Sequence, residues 1–255
     1  MRYYSRMDQL SQYKIIQTED GSTTLFSKKF NEACHSTSGA RSETKLHYIQ
    51  GCAVPELAEQ KKEIFVLEVG FGTGLGFEET LSTCTGYKCY LHFHSFEIDD
   101  ELFIYFCKKR NLSFEQTNDF FQVKGESFQL TCWRGDARQS IKKIKQDNLK
   151  FDCVYQDAFS PKRNAILWTT EWFKDLGQVV TPEAILSTYS SSSSIRKSLL
   201  CAGWKVRKGE KFGPKRSSTR ATLAGESDQE ILDHLQRSPA PELTDNNYHE
   251  YVLRG

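Results

Sequence analysis

The stretch Glu68-Val69-Gly70-Phe71-Gly72-Thr73-Gly74 sets an acid and three alternating glycines at the end of an apolar run. Glycines let the backbone turn sharply and approach a ligand closely, with the next helix N-terminus facing it. A dinucleotide loop needs G-x-G-x-x-G, but the sixth position is Leu75 counted from Gly70 and Phe77 counted from Gly72, so a nicotinamide cofactor fits poorly. Later apolar runs also end in acids, Glu97 with Asp99 and then Asp136. Carboxylates so placed accept hydrogen bonds from hydroxyls and amines and offset positive charge. Asp157-Ala158-Phe159-Ser160-Pro161 adds a carboxylate that can hold an amine and line up its nitrogen for reaction. Taken singly, the glycine loop also suits an ordinary tight turn, Asp157 before Pro161 suits a turn or a helix cap, and Asp99 reads as a helix cap.

Positioning these groups requires alternating strands and helices. The run at 64–69 reads as a buried parallel strand, followed by a helix from about 76 to 84 and a second strand over 89–96. A helix through Leu102, Phe103, Tyr105 and Phe106 leaves at the basic 108–110, a third strand spans 128–133, and a helix returns over about 138–146. The fourth strand, 151–155, delivers Asp157 to its carboxyl end. Helical segments over 167–176 lead to a fifth strand at 184–189, and the serine run 190–194 reads as the N-terminus of a helix closed by Gly203. Two last strand-like pieces, 204–207 and 220–223, form an antiparallel hairpin. The expectation is a doubly wound α/β fold, a mostly parallel sheet with an antiparallel terminal hairpin, in which the acids gather at strand carboxyl ends where such sheets form their ligand crevice. Residues 1–60 read as an N-terminal extension packed on the core, 61–225 as the core domain, and 226–255 as a peripheral tail.

Composition narrows the class. With 255 residues, 38% hydrophobic and 26% charged, the chain has enough apolar material for a globular core. No run approaches the roughly 20 apolar residues that span a bilayer and the start lacks an apolar signal core, so the expected location is the cytoplasm, without membrane association. The eight cysteines form no CxxC pair and no metal-ligand cluster; they read as reduced thiols, and no metal is expected. A net charge of +1 excludes nucleic-acid binding through the whole surface. Any such contact is local, and the basic stretch 205–220 is the candidate, although taken alone it reads better as a solvated charged face.

The E-x-G-x-G-x-G spacing resembles the first motif of class I (Rossmann-like) methyltransferases that use S-adenosyl-L-methionine (SAM). More specifically, the chain resembles the tRNA 5-methylaminomethyl-2-thiouridine methyltransferases, the methyltransferase half of bifunctional MnmC and its stand-alone relatives. The likeness is carried, in order, by Asp20-Gly21-Ser22, His35-Ser36, Gly39-Ala40, Glu43, the stretch 68–77, Phe96-Glu97 and Gly135-Asp136-Ala137-Arg138. It continues through Asp157-Ala158-Phe159-Ser160-Pro161, Leu167-Trp168-Thr169, Thr188-Tyr189-Ser190 and Gly213-Pro214-Lys215-Arg216.

The resemblance implies methyl transfer from SAM to the exocyclic amine of 5-aminomethyl-2-thiouridine at the tRNA wobble position, with Asp157 corresponding to the family's proposed catalytic aspartate. The cofactor would be held by Glu68, Gly70, Phe71, Gly72, Gly74, Glu97 (at the ribose), and Asp136 with Ala137 (at the adenine). Lys215 and Arg216 become candidates for phosphates of the anticodon loop, and Phe159 or Tyr189 for stacking on a base. Three departures bear on the substrate: Gly76 stands where the family usually has Asn, Arg163 is added after Ser160-Pro161, and the sequence around Ser217-Ser218 is less typical. The chain has no flavin-binding oxidase portion, so a separate enzyme is expected to generate the aminomethyl group. Methylation of another amine, or noncatalytic SAM or RNA binding on the same scaffold, would keep the cofactor features.

Overall fold

The computed structural model of the chain describes residues 10–212 and 217–253. Three short strands, Tyr13–Gln17 (β1), Thr23–Ser27 (β2) and Glu32–Ala33 (β3), make a small antiparallel sheet. Helix Ala40–Thr44 (α1), a π-helical turn Lys45–Gln50 and helix Val54–Gln60 (α2) lead from it to the main sheet. The main sheet is built from Glu63–Val69 (β4), Tyr90–Glu97 (β5), Glu115–Gln116 (β6), Phe120–Lys124 (β7), Phe128–Arg134 (β8), Phe151–Gln156 (β9), Val180–Thr188 (β10), Lys205–Lys211 (β11) and Ser217–Thr222 (β12). Their order is β11-β12-β10-β9-β4-β5-β8-β7-β6. The central five, β10-β9-β4-β5-β8, pair parallel, and both flanks pair antiparallel.

This is the expected mostly parallel sheet with its terminal hairpin, β11 against β12. The edge pair β6–β7 was not anticipated, because the stretch around it, EQTNDFFQVK, mixes polar and apolar residues without a clean period. The order of the parallel strands reverses on either side of β4, whose neighbours are β5 and β9. That switch point opens a crevice at the carboxyl ends of β4 and β9, where the glycine loop and Asp157 emerge.

The helices follow the strands: Leu75–Gly86 (α3), Asp100–Lys109 (α4), Ala137–Gln146 (α5), Thr170–Gly177 (α6), Ser193–Cys201 (α7), Gln229–Arg237 (α8) and Tyr248–Leu253 (α9). They lie over two cores because successive strand residues face opposite ways. Along β4, Ile64 and Val66 enter the cluster that holds Phe77, Phe103 and Phe106, while Leu67 and Val69 enter the one that holds Ile141, Trp172 and Leu199. Helix α7 ends as its sequence predicts, with Gly203 at φ +95° just past the cap Ala202; the N–H of Gly203 bonds to Leu200 O and that of Trp204 to Leu199 O.

Residues beyond 225 are more than a peripheral tail. Ile231 and Leu235, one turn apart on α8, and Leu243 are at most 4% exposed and belong to the second of these cores. Asp245 forms a two-point ion pair with Arg138 on α5 and accepts a 2.7 Å bond from Thr169 Oγ1. An isolated apolar pair four residues apart is too short a pattern to announce such docking from sequence.

The glycine loop is also a packing device. Gly74 has φ +77° at the N-cap of α3, and a Cβ there would meet Phe106 Cδ2 at 2.3 Å and Phe71 Cζ at 2.9 Å. Gly74→Ala is expected to destabilise the fold by about 2–4 kcal/mol, roughly 1 from the left-handed backbone and the rest from overpacking. Thermal unfolding checks this: a fall on the order of 10 °C is expected, and an unaltered midpoint would show that the rings yield freely.

Candidate active site

At the switch point a cavity of about 680 Å³ opens between the main sheet and the N-terminal segment. That is within the range of sites for small molecules and cofactors. From the glycine loop, Gly70 and Gly72 line it, with φ of +101° and +54°. A Cβ on Gly70 would lie 3.0 Å from the carbonyl oxygen of Asp157, so the loops after β4 and β9 touch through bare backbone.

The acids expected at strand ends divide by the direction of their side chains. Glu97, at the end of β5, lines the cavity; its Oε2 accepts the N–H of Gly72 at 3.1 Å and its Oε1 that of Asp99 at 3.0 Å. Burial pushes this carboxyl up to about 7, although those backbone N–H groups favour its charged form. Each oxygen keeps a further lone pair for a ligand hydroxyl. Asp136 and Ala137 also line the cavity, and Asp136 Oδ1 caps α5 through the N–H of Arg138 at 2.8 Å. Asp99 caps α4, as its position predicts, through the N–H of Glu101, and its other oxygen accepts the phenol of Tyr13 at 2.9 Å.

Glu68, Phe71 and Gly74 do not line the cavity. Glu68 shares the face of β4 with Ile64 and Val66, is 2% exposed, and accepts Ser95 Oγ at 3.0 Å. Its Oε1 fills the space beside Gly76, 2.0 Å from where a Cβ would stand. Burial, and next the charge of Asp157, raise its carboxyl well above the ordinary range. The departure at Gly76 is thus coupled to the side chain of Glu68. Phe71 packs edge-on against Phe106 at 5.0 Å in the core.

Asp157 lines the cavity after β9 and accepts a 2.5 Å hydrogen bond on Oδ1 from the phenol of Tyr48. Tyr48 sits in the π-helical turn, a distortion frequent at functional sites, and its ring stacks on Tyr155 at 5.2 Å. Burial, and next the charge of Asp157, hold the Tyr48 phenol well above its ordinary range, so it stays a donor. The loop from Asp157 is anchored from both sides. Trp168 Nε1 bonds to Phe159 O at 2.9 Å, Tyr189 Oη to Ala158 O at 2.9 Å, and Glu32 accepts both the N–H and Oγ of Ser160 at 3.1 and 2.8 Å.

Phe159 and Tyr189 both face the cavity, and Phe159 is stacked on Phe30 with centroids 4.4 Å apart. Lys215 and Arg216 lie outside the described residues. Residue-level reasoning missed the wall opposite the sheet: Lys29, Phe30 and residues 32–38 all line the cavity. Only the motif residues of the family resemblance hinted at it. They prove to be its braces, since Asp20 accepts the N–H and Oγ of Ser42 at 3.2 and 3.0 Å and Glu43 accepts the N–H of Ser36 at 2.8 Å. His35 shares a 3.1 Å bond between Nδ1 and Thr24 Oγ1, and burial lowers it to about 4, leaving a neutral ring.

The lining therefore carries five carboxylates (Glu32, Glu43, Glu97, Asp136, Asp157) against one lysine, Lys29. Such a chamber favours cations, and SAM, with its sulfonium and ammonium groups, fits both the acids and the glycine cradle.

Comparison with known proteins agrees with this chemistry. Residues 102–224 match the model of a family described as S-adenosyl-L-methionine-dependent methyltransferase. The tRNA 5-methylaminomethyl-2-thiouridine biosynthesis bifunctional protein MnmC of Paraburkholderia xenovorans is 28% identical over 250 residues, covering 88% of this chain and 37% of that protein. The protein of the same name from Paraburkholderia phymatum is 31% identical over 216 residues, 76% of this chain and 32% of that protein. The chain spans about a third of the length of these relatives. The crystal structure of MnmC2 from Aquifex aeolicus superposes with a TM-score of 0.80 at 29% identity, covering 97% of this chain and 86% of that one. The chain is similar over most of its length to MnmC and MnmC2, and its residues 102–224 match the S-adenosyl-L-methionine-dependent methyltransferase family.

Proposed function

We propose that the chain methylates the exocyclic amine of 5-aminomethyl-2-thiouridine at the tRNA wobble position, giving 5-methylaminomethyl-2-thiouridine, in the cytoplasm. The observation that carries the reading is a carboxylate-lined cavity in which Asp157, braced by Tyr48, faces the same space as Gly70, Gly72 and Glu97. The names of the relatives supply the substrate class.

Bound SAM supplies an electrophilic methyl group. The chain's own residues orient the partners. Glu97 would accept the ribose hydroxyls, Asp136 and Ala137 would border the adenine, and Gly70 and Gly72 would admit the methionine end against bare backbone. Asp157 accepts an N–H of the substrate amine and fixes its lone pair toward the reacting carbon, and the proton leaves to water. The aromatic rings of Phe159 and Tyr189 border the base. Catalysis here is mainly positioning, because an amine attacks a sulfonium methyl readily once desolvated and aligned.

The test is nucleoside mass spectrometry on tRNA carrying 5-aminomethyl-2-thiouridine, incubated with the purified protein with and without SAM. Conversion to the methylaminomethyl nucleoside only with SAM is expected. An unchanged nucleoside alongside measurable SAM binding would give the reaction to another amine.

A further inference from the structure

We propose that RNA is seated by the lip of the cavity, where Lys162 and Arg163 are exposed on the turn that follows Phe159 of the stacked pair Phe30–Phe159, in addition to any contact made from the basic stretch 205–220. This rests on the tRNA reading above. Three observations carry it. First, charge changes sign from the chamber to its lip. The interior bears five carboxylates, whereas the loop 160–163 that runs from Phe159 to cavity-lining Asn164 exposes Arg163 and Lys162, the latter also bordering a second cavity with Ser194 and Tyr251. Neither has an ion-pair partner among the described residues. The facing turn between β2 and β3 adds exposed Lys28 and Lys29, the latter 5.4 Å from the Phe30 ring centroid. An acidic chamber repels phosphate, so a polyanionic substrate must meet cations before its amine enters.

Second, Phe30 and Phe159 are half-buried and parallel within 20°, with no aliphatic side chain between them. Single-stranded RNA is held by such rings, because every base has a π face to stack. Third, the loop is fixed rather than adaptive. Glu32 on β3 holds the N–H and Oγ of Ser160, and the N–H groups of Arg163 and Asn164 return to Ser160 O at 2.7 and 2.9 Å. The two basic side chains therefore project from a closed turn whose base is tied to the strand that carries Phe30's neighbours. Arg163, which the family resemblance left unexplained, has a use here as a phosphate contact beside the nucleotide that enters the cavity.

The experiment measures tRNA binding against salt, steady-state kinetics and SAM affinity for the full chain and for the variant Lys162→Ala/Arg163→Ala. Removing two phosphate contacts should lower the slope of log affinity on log salt by about 1.4, at about 0.7 per single-strand contact. KM for tRNA should rise about tenfold, with kcat and SAM affinity within twofold of the parent. Phe30→Leu, which keeps the charges, should weaken tRNA about tenfold with the salt slope unaltered. If the parent methylates tRNA and the double variant shows the same slope and KM, the lip is overturned while the function stands. A parent that binds SAM but neither binds nor methylates tRNA overturns both.

Discussion

Asp157→Ala is expected to lower turnover by about 10²–10⁴ while SAM affinity stays within about threefold, the range for losing a positioned acid–base or aligning group. The split follows from the geometry. The carboxylate of Asp157 faces the cavity at the end of β9, whereas the glycine backbone and Glu97 are held by other strands. The variant also strands the Tyr48 phenol, which is buried and gives its hydrogen to Asp157. Tyr48→Phe separates the two effects, because it keeps the carboxylate and removes only its brace; a fall in kcat of about 3–10-fold is expected. Single-turnover methyl transfer with both ligands saturating checks the pair. Asp157→Ala turning over like the parent would remove this aspartate from the mechanism. Tyr48→Phe falling as far as Asp157→Ala would make the phenol, rather than the carboxylate, the decisive group.

The central sheet was legible because β4, β5, β8 and β9 are short apolar runs closed by glycine or acid, and burial on both faces leaves little else such runs can be. The crevice followed from the topology, since acids at strand ends converge where the order reverses. What the pattern hid was direction. Glu68 and Glu97 look alike as acids closing strands, yet counting by twos from Ile64 puts Glu68 on the face of α3, where it meets Gly76 and Ser95, while Glu97 reaches the cavity. The N-terminal wall was hidden for a different reason. Its contribution is made by loops braced through Asp20, Glu32 and Glu43, which are long-range side-chain bonds with no period, and by Tyr48 in a π-helical turn that has no compositional signature. Asp136 was read for the ligand; it lines the cavity and also caps α5 through Oδ1.

Glu97 gives the second large effect, one that reverses sign between the free protein and its complex. Its carboxyl is raised by burial from an ordinary 4.5 to about 7, so the folded chain holds a proton there that the unfolded chain has lost. Stability from this group is therefore at its full value below pH 4.5, declines as pH rises through 7, and is level above. Ribose hydroxyls donate to the ionised form, so SAM affinity should run the other way, rising about tenfold from pH 6 to pH 8 as the ionised fraction goes from roughly one in eleven to ten in eleven. Glu97→Gln cannot ionise, and its one carbonyl oxygen cannot serve both backbone N–H groups that now meet the carboxylate. It should bind SAM about 10–100-fold more weakly at pH 8, as expected for losing hydrogen bonds to a charged acceptor, with no slope between pH 6 and 8. Calorimetric titrations at matched ionic strength read both quantities. A parent and a variant whose affinities move in parallel with pH would assign the dependence to the ligand's own ammonium group and leave Glu97 a structural acid that ties the glycine loop to β5.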